Sequence, residues 1–109
     1  MGARFFLLAL AALLLVPASG WADEIMIHVM HGKLDPARIE ISAGDTVVFH
    51  NLDEMPGGHT IVAHDGSFES PPLAKDQQWR YRFDKSGTYS FRIKQHPAAV
   101  GTIVVEEED

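Results

Sequence analysis

The chain has 109 residues, with 15 Asp and Glu against 9 Lys and Arg, a net charge of −6 when its 6 histidines are neutral. That acidic balance argues against nucleic acid as a partner, because phosphate binding requires a basic face, and the length accommodates one domain around one core. With no cysteine anywhere, neither a disulfide nor a thiolate is available, so stability has to come from packing, assisted by a metal if one is bound.

Arg4, the unbroken apolar run from Phe5 to Val16 and the small-x-small site Gly20-Trp21-Ala22 read in order as a secretion signal cleaved after Ala22. The apolar run of 12 residues falls short of the roughly 20 that a helix needs to cross hydrocarbon, so no permanent membrane anchor is expected. Residues 1–22 are assigned as signal peptide and residues 23–109 as one periplasmic or secreted domain. Loss of Arg4 with the leader takes the net charge to −7, and the run Glu106-Glu107-Glu108-Asp109 reads as a solvated acidic tail.

Beyond the leader the apolar pattern has period two, and no long segment shows the 3.6-residue repeat of an amphipathic helix. Ile25 to Met30 alternates, with Ile25, Ile27 and Val29 on one face and Met26, His28 and Met30 on the other. Ala37 to Ile41 and Thr46 to His50 flank the turn signal Ser42-Ala43-Gly44-Asp45, which predicts a hairpin. Asn51 to Gly58, crowded with Asn, Asp, Pro and Gly, is a loop, and His59 to Ala63 is the next strand. Phe68 to Asp76 is an irregular crossing, because Pro71-Pro72 cannot donate to a central ladder. Gln78 to Phe83 and Thr88 to Ile93 are strands around the turn Asp84-Lys85-Ser86-Gly87. Lys94 to Val100 is a loop containing Pro97, and Gly101 to Val105 closes the domain. About seven short strands with turn chemistry between them predict an all-β fold, a Greek-key β-sandwich or barrel.

The histidines carry the chemistry. They fall at strand ends and in loops: His28 and His31 flank Met30, His50 and His59 bracket the glycine loop, His64 follows, and His96 sits in the last loop. Neutral imidazole is a good ligand for copper, zinc and nickel, and thioether sulfur favours Cu(I), so metal binding is the first hypothesis. A single histidine on a strand is more often packed or solvated than ligating, and His50 reads that way. Met26 and Met30 are by default apolar fillers. No hydrolytic site is expected, because Ser67, Ser70, Ser86 and Ser90 lie in ordinary turn or strand contexts without a nucleophile elbow, and the protein is read as a binding protein rather than an enzyme.

Several short pieces stand along the chain in this order: Asp35-Pro36-Ala37-Arg38-Ile39-Glu40-Ile41, Ala43-Gly44-Asp45-Thr46-Val47, Asn51 with Met55-Pro56 before His59, Gly66-Ser67-Phe68, Phe83 with Gly87-Thr88-Tyr89, and His96-Pro97 before Gly101-Thr102-Ile103-Val104-Val105. In this order the chain resembles the cupredoxin family, in particular its amicyanin, plastocyanin and pseudoazurin group, from Leu34 to Val105. The resemblance implies His59 as the first histidine ligand, although Gly57 and Gly58 intervene where the family runs straight from proline to histidine. It implies His96 as the second. The family's Cys-x-x-His-x-x-Met stands here as Ile93-x-x-His96-x-x-Ala99, so the thiolate and axial thioether positions are occupied by Ile and Ala. A blue copper site is a His₂Cys arrangement; none can form.

The expectation is a His59/His96 pair at one pole of the sandwich, completed from His31, His64, His28, Met30 or Met55. Such a site would hold copper as Cu(I) or Cu(II) in a non-blue geometry, with zinc as the alternative because His₃ plus water is also a zinc pattern. Copper carriage or buffering fits better than electron relay, with a periplasmic redox or copper-handling protein as partner. The rival readings are an electron-transfer protein with an altered centre and a metal-free binding module on the same scaffold.

Overall fold

The computed structural model describes residues 22–107. Almost all of the assigned signal peptide, and the last two residues of the acidic tail, lie outside the described residues. Within them there is no helix. Eight strands form the fold: β1 (Glu24–Met30), β2 (Lys33–Asp35), β3 (Arg38–Ser42), β4 (Thr46–Asn51), β5 (Ile61–Ala63), β6 (Gln78–Arg82), β7 (Gly87–Ile93) and β8 (His96–Glu106). They make two four-stranded sheets, ordered β2-β1-β4-β6 and β3-β8-β7-β5. β1 runs parallel to β4 and β3 parallel to β8, while the other neighbours are antiparallel.

The period-two pattern does what a half-buried strand requires. In β1, Ile27 and Val29 are buried in the core while Met26, His28 and Met30 alternate to the outer face. Val47 and Phe49 of β4, Ile61 and Ala63 of β5, Phe91 and Ile93 of β7, and Ile103 and Val105 of β8 close the interior from both sheets. Phe49 meets Phe91 edge-on at a centroid distance of 5.4 Å, and Phe68, from the crossing segment, reaches Phe83 at 5.4 Å, separations at which aromatic pairs add to simple area burial. Gly101 is dictated by this packing, since a Cβ there would overlap the Phe91 ring.

Three sequence expectations are corrected. Residues 37–41 and 46–50 do not form a hairpin: β3 pairs with β8 in one sheet, from Arg38↔Thr102 to Ser42↔Glu106, and β4 lies between β1 and β6 in the other. The intervening turn is a corner between sheets. The Asp45 carboxylate accepts from Ser42 N at 2.9 Å and from Asp23 N at 3.0 Å, tying the corner to the entrance of β1. A Gly-Asp turn between alternating segments looks the same locally whether the chain folds back or changes sheets.

The second correction concerns residues 94–100, expected to be one loop. β8 already begins at His96, which pairs with Ile93 across the two residues Lys94 and Gln95. The register then shifts, with Arg92 opposite Val100, so Pro97, Ala98 and Ala99 are accommodated as a bulge. Pro97 has no N–H to give the ladder, and bulges absorb such positions. The strand beginning at His59 is shorter than expected: β5 starts at Ile61, and His59 makes an isolated bridge to Leu73.

Candidate metal centre

The site is assembled from the loop after β4. Asn51, fully buried, donates from Nδ2 to the Asp53 carbonyl at 3.0 Å and to the Leu73 carbonyl at 2.8 Å, and its Oδ1 accepts from Asp53 N at 3.0 Å. This Asx turn fixes the start of the loop and the position of Asp53. At its other end Gly58 has a left-handed φ of 77°. A Cβ at Gly58 would stand 2.8 Å from the Leu73 carbonyl oxygen, so only glycine lets the backbone come close enough for His59 and Leu73 to exchange hydrogen bonds of 3.0 and 2.8 Å.

The next residue captures the other half. Thr60 N donates to Gln95 Oε1 at 2.8 Å, Gln95 Nε2 donates to Thr60 Oγ1 at 3.1 Å, and Lys94 N donates to the Thr60 carbonyl at 2.9 Å. The β7–β8 turn is thereby seated beside His59, and His96 follows it directly. The His59 and His96 rings stand 5.3 Å apart between centroids, inclined at 41°.

His59 is fully buried, and its Nε2 lies 3.0 Å from Asp53 Oδ2. An ionised carboxylate only accepts, so Nε2 carries the proton and Nδ1 presents a lone pair. That Nδ1 is buried with no hydrogen-bond partner, and so is Nε2 of His96. Buried polar atoms are ordinarily paired; two orphaned imidazole nitrogens on adjacent rings are what a bound cation would satisfy. The spacing agrees: a metal about 2.0–2.1 Å from a ring nitrogen stands about 3.2 Å from the centroid, which puts two rings on one ion about 5–6 Å apart at tetrahedral to trigonal angles.

Asp53 also faces His31, whose Nδ1 is 3.4 Å from the same Oδ2, and the His31 ring lies 5.7 Å from that of His96. His31 is 85% exposed in the β1–β2 turn, so its side chain can change rotamer without disturbing the core. The hydrogen bond from His59 is the main cause that holds the Asp53 carboxyl below its ordinary range; partial burial opposes it, and the His31 bond and the charge of both rings add to the lowering. Among the described residues no three His, Cys, Asp or Glu side chains form a ready-made ion cage. What converges is an imidazole pair with a third imidazole at its rim and a carboxylate behind it.

Of the other residues singled out by sequence, His64, His28 and Met30 lie elsewhere. His64 is exposed beyond the far end of β5, its N–H bonded to the Ser90 carbonyl. His28 and Met30 face outward from β1, and the His28 ring pairs with His50 rather than with His96. Met55 is half-buried in the loop, its carbonyl accepting from Gly58 N. Ile93 and Ala99 are buried apolar residues. Sequence reasoning missed Asp53 and Gln95. The Asn51-x-Asp53 spacing of an Asx turn was a usable signal for the first; nothing local marks the second.

A β-sandwich that brings imidazoles from the loop before β5 and from the β7–β8 turn to one pole is a copper-binding and electron-transfer scaffold of the cupredoxin type. Residues 3–105 match the family described as cupredoxin-like domain, and the chain belongs to it. It is 30% identical over 103 residues to amicyanin-alpha of Methylorubrum extorquens, covering 90% of this chain and 82% of that protein. To amicyanin of Paracoccus denitrificans it is 28% identical over 85 residues, covering 75% of this chain and 65% of the relative, so the match spans just under two thirds of that protein's length. Among solved structures, the purple cupredoxin from Nitrosopumilus maritimus superposes with a TM-score of 0.66 at 27% identity, covering 75% of this chain and 99% of that one.

Proposed function

We propose that this protein binds copper at a thiolate-free site made by His59 and His96, with His31 closing it from the rim, and that it carries or buffers the ion in the periplasm or outside the cell after loss of residues 1–22. The observation that carries this reading is the pair of buried, partnerless imidazole nitrogens on adjacent rings. Asp53 holds the tautomer that points Nδ1 of His59 at the site, as carboxylates behind metal-binding histidines do. Bound copper is cargo here: with Ile93 in the thiolate position, the copper–sulfur bond that serves fast electron transfer in the family is absent. The partner that loads or unloads the site is a redox or copper-handling protein of the same compartment, and no reaction is assigned to the chain itself.

The test is Cu(II) titration of the purified protein and of His59→Ala and His96→Ala, followed by absorption and spin resonance. The unsubstituted protein takes up one equivalent more than either variant, with no intense sulfur band. Folded-state stability rises by about 4 kcal/mol when free copper exceeds the dissociation constant about 1,000-fold. Zinc run in parallel decides between the two metals. A second reading, a binding module that has lost its metal, is favoured by the buried Ile93 and Ala99. Melting temperatures unmoved by copper and zinc alike would establish it.

A further inference from the structure

The outer face of the β2-β1-β4-β6 sheet carries a second pair of imidazoles that the pole does not use. β1 and β4 are parallel and in register, with Met26 opposite Val48 and His28 opposite His50. The His28 and His50 rings stand 5.6 Å apart at 50°. Strand periodicity puts Met26 and Met30 on the same face as His28, each about 6.5 Å along the strand; Met26 is 39% exposed. Asp76, held in a left-handed conformation at φ 70° by the bond from its N–H to the Asn51 carbonyl, places Oδ1 3.9 Å from Nε2 of His50, an ion-pair separation at the edge of the strip. Both rings are half-buried, so two imidazoles and two thioethers share one partly desolvated strip, bordered by Asp76 beside His50 and by Asp35 opposite His28.

We propose that this strip is a second metal site, taking Cu(I) through His28 and His50 with a thioether from Met26 or Met30 as third ligand. Imidazole with thioether is a soft donor set that selects Cu(I). A centroid separation of 5.6 Å corresponds to a ligand–metal–ligand angle of about 120° for ring nitrogens about 2.0–2.1 Å from the ion. Two-coordinate linear binding would need about 6.4 Å by the same arithmetic. The rings are thus set for three ligands, and the flanking methionines supply the third. No thiol is required, and the site is independent of the pair at the pole.

The experiment is Cu(I) titration of the purified protein under anaerobic conditions against a chromophoric Cu(I) chelator, with zinc as control. The unsubstituted protein takes up two equivalents. His28→Gln/His50→Gln loses one and keeps the other; His59→Ala/His96→Ala keeps the equivalent that the first variant lost, so failure at the pole and failure on the sheet are told apart. Met26→Leu/Met30→Leu weakens the sheet equivalent at least 10-fold and removes its sulfur scattering in X-ray absorption, leaving zinc binding unchanged. Ring resonances of His28 and His50 in the unsubstituted protein shift on Cu(I) addition, a readout that needs no variant to fold. Unchanged stoichiometry in His28→Gln/His50→Gln, or unmoved ring resonances, overturns the proposal.

Discussion

Asp53 offers the sharpest handle on the pole, because its substitution leaves both candidate ligands in place. In Asp53→Asn the side chain keeps its size and can still accept from His59 Nε2–H through its amide oxygen, now 3.0 Å away in the native geometry, but as a neutral acceptor. Charge-assisted bonds are roughly twice as strong as neutral ones, and groups behind a metal-binding histidine are worth about 10–100-fold in affinity. Asn should therefore cost about 10-fold in copper affinity and Ala, which removes the acceptor altogether, nearer 100-fold. The loss should be larger than the weak 3.4 Å contact with His31 alone would give. The assay is competition for Cu(II) against a chelator of known affinity at fixed pH, with circular dichroism to verify the fold. If Asp53→Asn and Asp53→Ala both bind copper within twofold of the unsubstituted protein, the carboxylate does not orient His59 and the tautomer argument fails.

The same carboxylate should leave a mark on acid unfolding of the metal-free protein. Because its folded-state value is lowered by the His59 bond, the stability it lends is fully present above the ordinary aspartate value of about 3.9 and is lost as pH falls through the lowered value; Asp53→Asn should flatten urea midpoints over that acid range, and parallel curves would contradict the pairing. Gln95→Ala removes two hydrogen bonds to Thr60, one of them to a buried backbone N–H. It should cost about 1–3 kcal/mol, a shift of about 1–2 M in the urea midpoint for a domain of this size. It should also weaken copper binding, because His96 loses its anchor; a variant destabilised by that amount but unimpaired in copper affinity would show that the turn is placed by other contacts. Ile93→Cys puts a thiol in the core directly opposite His96, and Cu(II) should then develop the intense visible absorption of a copper–thiolate bond that the unsubstituted chain lacks. A colourless complex would mean that position 93 does not face the imidazole pair.

The strands were legible because alternation is a local property. β1, β4, β6 and β7 lie within a residue or two of where the period-two pattern put them, and Ile27, Val29, Phe91 and Ile103 are buried as their side of the pattern required. The absence of a thiolate was also settled by composition, since no fold can supply a sulfur that the chain does not contain. The three-residue strand β2 was overlooked because Lys33, Leu34 and Asp35 are too few to show a period, and β8 was begun too late because Pro97 reads as a break unless the bulge that absorbs it is known.

Which histidines meet was not legible in the same way. His28, His31 and Met30 are neighbours in the chain, yet strand alternation and the β1–β2 turn send His28 to the sheet face beside His50 and His31 to the pole beside Asp53 and His96. The amino-acid order by itself determined the local conformational preferences and the stock of donor atoms. The tertiary structure alone decided the pairings, because parallel register, the grip of Gln95 on Thr60 and the close approach of Gly58 to Leu73 are contacts between residues far apart in the chain, whose free energy exists only once both sheets have packed.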